Sequence, residues 1–158
     1  MEVPSTSYTG YMMNAQKPTT MSVTLQLSDI PEDEPGFPTN VIFDTGAMVS
    51  TAEKSWLLKN CPTCKPFPLR TQAFHMHGVG SGILPITEFV YADLIFKGQI
   101  EAGPVDVRVA AVIHLMEEAQ ISMLLGMDIA RLHKIDVDQK RQKLVFRGAG
   151  DAEVTFLT

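Results

Sequence analysis

The chain has 158 residues, 45% of them hydrophobic and 20% charged, with a formal net charge of -5 at pH 7. That length suits one domain with a proper core and falls short of a comfortable two. Lys and Arg gather into no basic stripe, so no nucleic acid is expected as a partner, and no apolar run approaches the roughly 18 residues of a membrane span, so no membrane is expected either. The first residues, MEVPSTSYTG, show neither a basic n-region nor an apolar h-region. Two cysteines make no disulfide framework, and a cytoplasmic or nuclear setting is expected.

Residues 1–20 are rich in Ser, Thr, Pro, Tyr and Met without a period, and read as a flexible leader or arm before a single domain over 21–158. MSVTLQLSDI (21–30) alternates, with Val23, Leu25 and Leu27 on one face, and predicts a half-buried strand. PEDEPGFP (31–38) is a loop by its prolines and glycine. TNVIFDTG predicts a strand ending at Asp44. STAEKSWLLKN (50–60) predicts a short helix or turn with Ser50 or Thr51 as its cap and Trp56 as its anchor. CPTCKPFPLR is a loop, and HGVGSG (77–82), with three glycines in six residues, reads as a hairpin tip. ILPITEFVYADLIF (83–96) and VDVRVAAVI (105–113) are β-patterned, joined by the turn-rich KGQIEAGP. ISMLLG (121–126) is a short strand, MDIARLHK (127–134) a short helix, IDVDQKRQKLVF (135–146) a hairpin and DAEVTFLT (151–158) a last strand. The sum is an all-β domain with one or two short helices.

Within this pattern VIFDTGAMVS (41–50) stands out. An apolar strand runs straight into an acid, and an ionised carboxylate is costly to desolvate unless it is hydrogen-bonded or paired. A surface turn would hold Asp-Thr-Gly cheaply, but it would leave Val41, Ile42, Phe43, Ala47, Met48 and Val49 without an explanation.

Three pieces of sequence resemble the retropepsin-like aspartic proteases: Phe43-Asp44-Thr45-Gly46-Ala47, Met123-Leu124-Leu125-Gly126-Met127-Asp128, and Ile135-Asp136-Val137-Asp138. With the strands between, the resemblance spans about residues 22 to 146. Met127 and Asp128 after the glycine look closer to the retrotransposon proteases and the DNA-damage-inducible ubiquitin-shuttle type than to lentiviral enzymes, where arginine commonly follows. The resemblance implies a single-lobe closed barrel and, because the chain carries one DTG, a homodimer with Asp44 supplied by each subunit as the catalytic residue. It implies an aspartic endopeptidase that activates a water between two aspartates sharing a proton, acts on an extended polypeptide and needs no cofactor. Thr45 and Gly46 would support the dyad, and Ala47, Leu124, Leu125 and Gly126 would form the substrate pocket. His77, Gly78, Val79, Gly80, Ser81 and Gly82 would form a flap, since a lid needs a flexible tip on a β base. The bland alternative for that segment is an ordinary hairpin turn. The settings that fit are self-processing of a retroelement polyprotein and protein quality control. An inactive retropepsin fold used for dimerisation or peptide binding is the alternative from another class.

Other motifs have plainer explanations. Cys61-x-x-Cys64 with His75-x-His77 has the residue types of a zinc site, but one residue between the histidines is fewer than a zinc finger uses. No metal is expected, and Cys61 and Cys64 read as reduced cysteines in a loop. Asp128 reads as a helix-start acid and Asp136 and Asp138 as the solvent face of a hairpin. His114 and His133 show no partner in the sequence. DAEVTFLT, a strand with an apolar face, is expected to pair at or near the dimer interface, because an unpaired edge invites association.

Overall fold

The computed structural model describes residues 19–28, 30, 35–69, 74–78, 82–119 and 121–157; of 74–78 and 82–85 only the backbone is described. The leader residues up to 18 lie outside them, and Thr19 and Thr20 already belong to the first strand.

The elements follow in chain order: β1 (Thr19–Leu27), β2 (Phe37–Phe43), β3 (Thr51–Glu53), α1 (Lys54–Asn60), β4 (Phe67–Pro68), β5 (Phe74–Gly78), β6 (Gly82–Ile86), β7 (Glu88–Ile100), β8 (Gly103–Met116), β9 (Met123–Leu125), α2 (Met127–Leu132), β10 (Ile135–Asp138), β11 (Lys143–Phe146) and β12 (Ala152–Thr155). Six strands close on themselves: β1 pairs β2, β2 pairs β9, β9 pairs β3, β3 pairs β8, β8 pairs β7, and β7 returns to β1. Closure leaves the barrel no free edge. Among the described residues the fold is thus the expected all-β closed barrel with two short helices.

Alternation drives the closure. In β1 the residues Met21, Val23, Leu25 and Leu27 are buried; in β7 Val90, Ala92, Leu94 and Phe96; in β8 Val107, Val109, Ala111, Ile113 and Leu115. A period of two sends each set inward, and sliding any strand by one residue would turn its apolar set to water. β7 is long because it serves several partners along one edge: Phe89 faces β4, Ala92 to Phe96 face β1, and Gln99 meets Glu153 of β12. Its other edge pairs β8 throughout.

Two expectations need correcting, and a third gains a partner within the chain. KGQIEAGP is not an extended turn. Lys97 to Ile100 continue β7, and the reversal takes only Glu101 and Ala102, with Gly103 at φ 136° opening β8. That φ favours glycine, which lets the strands run nearly to the tip. Residues 51–53 are strand rather than helix. Thr51 pairs both His114 and Leu124, and the helix starts only at Lys54. Tertiary pairing overrides local capping chemistry here, and Glu53 stands at the N-cap with no side-chain cap bond. Finally, β12 finds its partners in its own chain. It pairs β11 over Lys143↔Thr155 to Phe146↔Ala152, and the Leu157 N–H donates to the Thr20 carbonyl at 2.8 Å. Ala152, Val154 and Phe156 are buried, so this strand needs no second copy to cover its apolar face.

Candidate active site

Asp44 follows the last residue of β2. Phe43 pairs Leu125 of β9 in parallel, and the next N–H, that of Asp44, donates to the Leu125 carbonyl at 2.9 Å. The chain then leaves the sheet and returns as β3 on the far side of β9, so β9 lies between the strands that enter and leave the loop. This crossing fixes the loop over residues 44–50.

Within the loop the Ala47 N–H donates to the Asp44 carbonyl at 3.1 Å, and the Gly46 N–H donates to Asp44 Oδ1 at 2.8 Å. The carboxylate is half-buried, with one oxygen occupied by the loop's own backbone. Among the described residues its second oxygen has no hydrogen-bond partner. Thr45, Gly46 and Met48 are exposed, Met48 to 65%. The strand before the acid is apolar because Val41 and Phe43 point into the barrel.

Residues 125–129 grip the loop from beneath. The Met127 N–H donates to the Ala47 carbonyl at 2.8 Å. Ser50, fully buried, accepts the Gly126 N–H on its Oγ at 2.9 Å and donates its hydroxyl to Asp128 Oδ1 at 2.7 Å. The Ser50 N–H donates to Asp128 Oδ2 at 3.0 Å, and the Ser50 carbonyl accepts from the His114 backbone N–H at 3.0 Å. Every polar group of this buried serine is therefore bonded, as a buried polar residue requires. Gly126 has no room for a side chain: a Cβ there would lie 2.8 Å from the carbonyl oxygens of Ala47 and Val49.

The structure thus gathers Asp44, Thr45, Gly46, Ala47, Leu124, Leu125 and Gly126 into one place. Leu125 is completely buried in the core and Leu124 nearly buried in this one chain. Ser50, one of two cap candidates by sequence, is instead the loop's buried tie. Asp128 does stand in the first turn of α2, partly buried, and accepts from Ser50 and from the Ile129 N–H at 2.9 Å. The Ser50–Asp128 contact spans 78 residues of chain. The signal that could have found it is a lone serine ending an apolar loop, opposite an acid that directly follows Leu-Leu-Gly-Met.

Of the predicted flap, His77 and Gly78 lie on β5 and Gly82 opens β6; these strands form a separate two-stranded hairpin, with Gly78 opposite Gly82. Val79, Gly80 and Ser81 lie outside the described residues. His75 pairs Pro85 and His77 pairs Ile83; their side chains lie outside the description, and so does the zinc question they raise. Cys61 and Cys64 are buried in the core without a disulfide between them, and the Cys64 N–H donates to the Cys61 carbonyl at 3.0 Å. Among the described residues no three His, Cys, Asp or Glu converge as a metal site. His133 and Trp56 have structural partners: His133 Nε2 meets the Ala110 carbonyl at 2.7 Å, and Trp56 packs edge-on against Phe37 at 5.9 Å.

No family model and no curated protein matches the chain. Solved structures do. The retroviral protease-like domain of Ddi1 from Leishmania major matches with a TM-score of 0.57 at 17% identity, over 90% of this chain and 97% of that one. The EIAV protease complexed with the inhibitor HBY-793 matches with a TM-score of 0.44 at 15% identity, over 75% of this chain and 89% of that one. The closed six-strand barrel, the two short helices and the match to the Leishmania domain agree: this chain has the retropepsin-like fold.

Proposed function

We propose that the chain is an aspartic endopeptidase that works as a homodimer, each subunit supplying Asp44. The observation that carries this is the half-buried Asp44 carboxylate, held by its own loop through Gly46 with its second oxygen unpartnered among the described residues, in a barrel of this fold. One such carboxylate is a base without a neighbouring acid. Two of them across a two-fold axis, about 3 Å apart, share a proton, because like charges at that distance do not both ionise. The ionised member takes a proton from a water, which attacks the scissile carbonyl; the protonated member polarises that carbonyl and later protonates the leaving amine.

Thr45, Gly46 and Met48 are exposed, which leaves this loop accessible to a second copy. The hairpin of β5 and β6 is the lid, closing over an extended polypeptide whose apolar side chains flank the cut. A digest of a peptide library by the wild type and Asp44→Asn, at several pH values and protein concentrations, tests the proposal. Cleavage that vanishes in Asp44→Asn and has a bell-shaped pH profile is the expected result. Cleavage by the variant, or none by the wild type at any concentration, overturns it.

A further inference from the structure

The Asp44 loop is tied at its far end to a side chain from a distant part of the chain. Asp128 Oδ2 accepts the Ser50 N–H, and Asp128 Oδ1 accepts both the Ser50 hydroxyl and the Ile129 N–H. The direction of the hydroxyl is set, because Ser50 Oγ already accepts the Gly126 N–H and its proton is left for Asp128. Both oxygens of Asp128 are thus acceptors, and nothing in the network asks this side chain to donate. An amide cannot replace it. Placed toward the Ser50 N–H, an amide NH2 sets donor against donor; placed the other way, it opposes the Ile129 N–H. This is a site that selects a carboxylate over its isostere, although no cation pairs with it among the described residues.

The tie has mechanical reach. Ser50 closes the loop that Asp44 opens. Between them the Ala47 carbonyl is held by the Met127 N–H, one residue before Asp128. The Gly46 N–H that reaches Asp44 Oδ1 belongs to the same loop. A shift of Ser50 is therefore passed to the amides that orient the Asp44 carboxylate, with little slack at Gly126, where the carbonyl oxygens of Ala47 and Val49 leave no room for a Cβ.

We infer that the Asp128 carboxylate, acting through Ser50, fixes the conformation of the Asp44 loop, and that Asp128 and Ser50 are positioning residues for the reaction. The part concerning the reaction rests on the endopeptidase proposal; the part concerning the loop does not. Asp128→Asn, Ser50→Ala and the double variant test it by two readouts. The first is amide hydrogen exchange. The amides of Gly46 and Ala47 are expected to exchange about 10-fold faster or more in each variant, the loss of a bond to a charged acceptor, while those of β7 and β8 keep the wild-type rate. The second is turnover per folded dimer. There kcat is expected to fall about 10- to 100-fold with KM within about 2-fold, since a misplaced reacting group slows the step rather than binding. The double variant is expected to lose less than the product of the singles, because both remove one contact. Ser50→Ala keeps the carboxylate and serves if Asp128→Asn does not fold. Unchanged exchange at Gly46 and Ala47 in a folded variant overturns the inference. So does a loss of exchange protection spread equally over β7 and β8, which marks a general stability effect. Should the wild type cleave nothing, the endopeptidase proposal falls, and the exchange pattern still decides whether Asp128 holds the loop.

Discussion

Gly126 shows how one atom can set the geometry of a loop. Its φ of -111° is open to any residue, so backbone freedom is not the reason for glycine here. The reason is contact: a Cβ would meet the carbonyl oxygens of Ala47 and Val49 at 2.8 Å, and both are backbone atoms that cannot swing aside. Gly126→Ala is expected to lower stability by about 1–3 kcal/mol, the usual range for overpacking, read as a drop in the urea midpoint. It is also expected to reduce peptide cleavage beyond what the lost stability explains, because the atoms that must move carry the Asp44 loop. Asp44→Asn is expected to behave oppositely. It leaves the fold intact, since the amide oxygen still accepts the Gly46 N–H, and abolishes cleavage.

At the scale of elements, the β11–β12 pair depends on charge as well as apolar burial. Glu153 accepts from Arg141 at 2.6 Å and from Lys143 at 3.0 Å. The Arg141 hydrogen bond first, and then that of Lys143, hold its carboxyl below the ordinary glutamate value. Because the folded value is the lower one, the ion pairs stabilise fully above the unfolded-state value of about 4.3 and their contribution is lost as pH falls through the folded-state value. Glu153→Gln is therefore expected to be less stable than wild type at neutral pH and to converge with it in strong acid. Equal denaturant midpoints at both pH values would remove the ion pairs from the account. All these groups are solvent-facing, so the neutral-pH difference should shrink with added salt. The hairpin of β5 and β6 is an element of another kind, among the described residues a two-stranded sheet of its own. If it is the lid, Gly80→Val should slow turnover more than it lowers the melting temperature; a variant as active as wild type would leave the hairpin without that role.

The described residues form a closed barrel with an added layer of strands, β12, β11 and β10, that continues from β7. Phe96 of β7 and Phe146 of β11 join the two parts, both fully buried with ring centroids 5.0 Å apart. Phe146→Ala is expected to destabilise by about 3–5 kcal/mol, a large share of a typical domain's stability, and to loosen β10 to β12 before the barrel in hydrogen exchange. Because β12 is satisfied within its chain, removing it is expected to unfold this layer rather than simply separate two copies. The proposed dimer brings the Asp44 loops of two copies together. Specific activity should decline on dilution below the dimer dissociation constant, and activity that stays constant in a species shown by sedimentation to be monomeric would break the two-subunit mechanism.

The sequence by itself determined most of the strands, the all-β class and the place of the acid; the closed barrel was implied only by the family resemblance. Period-two alternation in β1, β7 and β8 is written in successive side chains, because burial of one sheet face is a local pattern repeated along the strand. The Asp44 loop and the β10–β11 hairpin were legible for the same reason: an apolar run broken by Asp-Thr-Gly, and apolar residues flanking a polar turn. What the sequence did not show were relations between distant segments. Residues 51–53 have the look of a helix start, and only pairing with β8 and β9 makes them a strand. DAEVTFLT looks like an edge in need of a partner molecule until β11 and β7 are brought beside it. Ser50 and Asp128 are ordinary residues, each with a good local explanation as a helix cap or a helix-start acid. Folding β9 between β2 and β3 is what places one against the other. Local preferences are worth a fraction of a kcal/mol each, and a fully satisfied buried network outweighs them, so its members are identified only once the tertiary structure has brought them together.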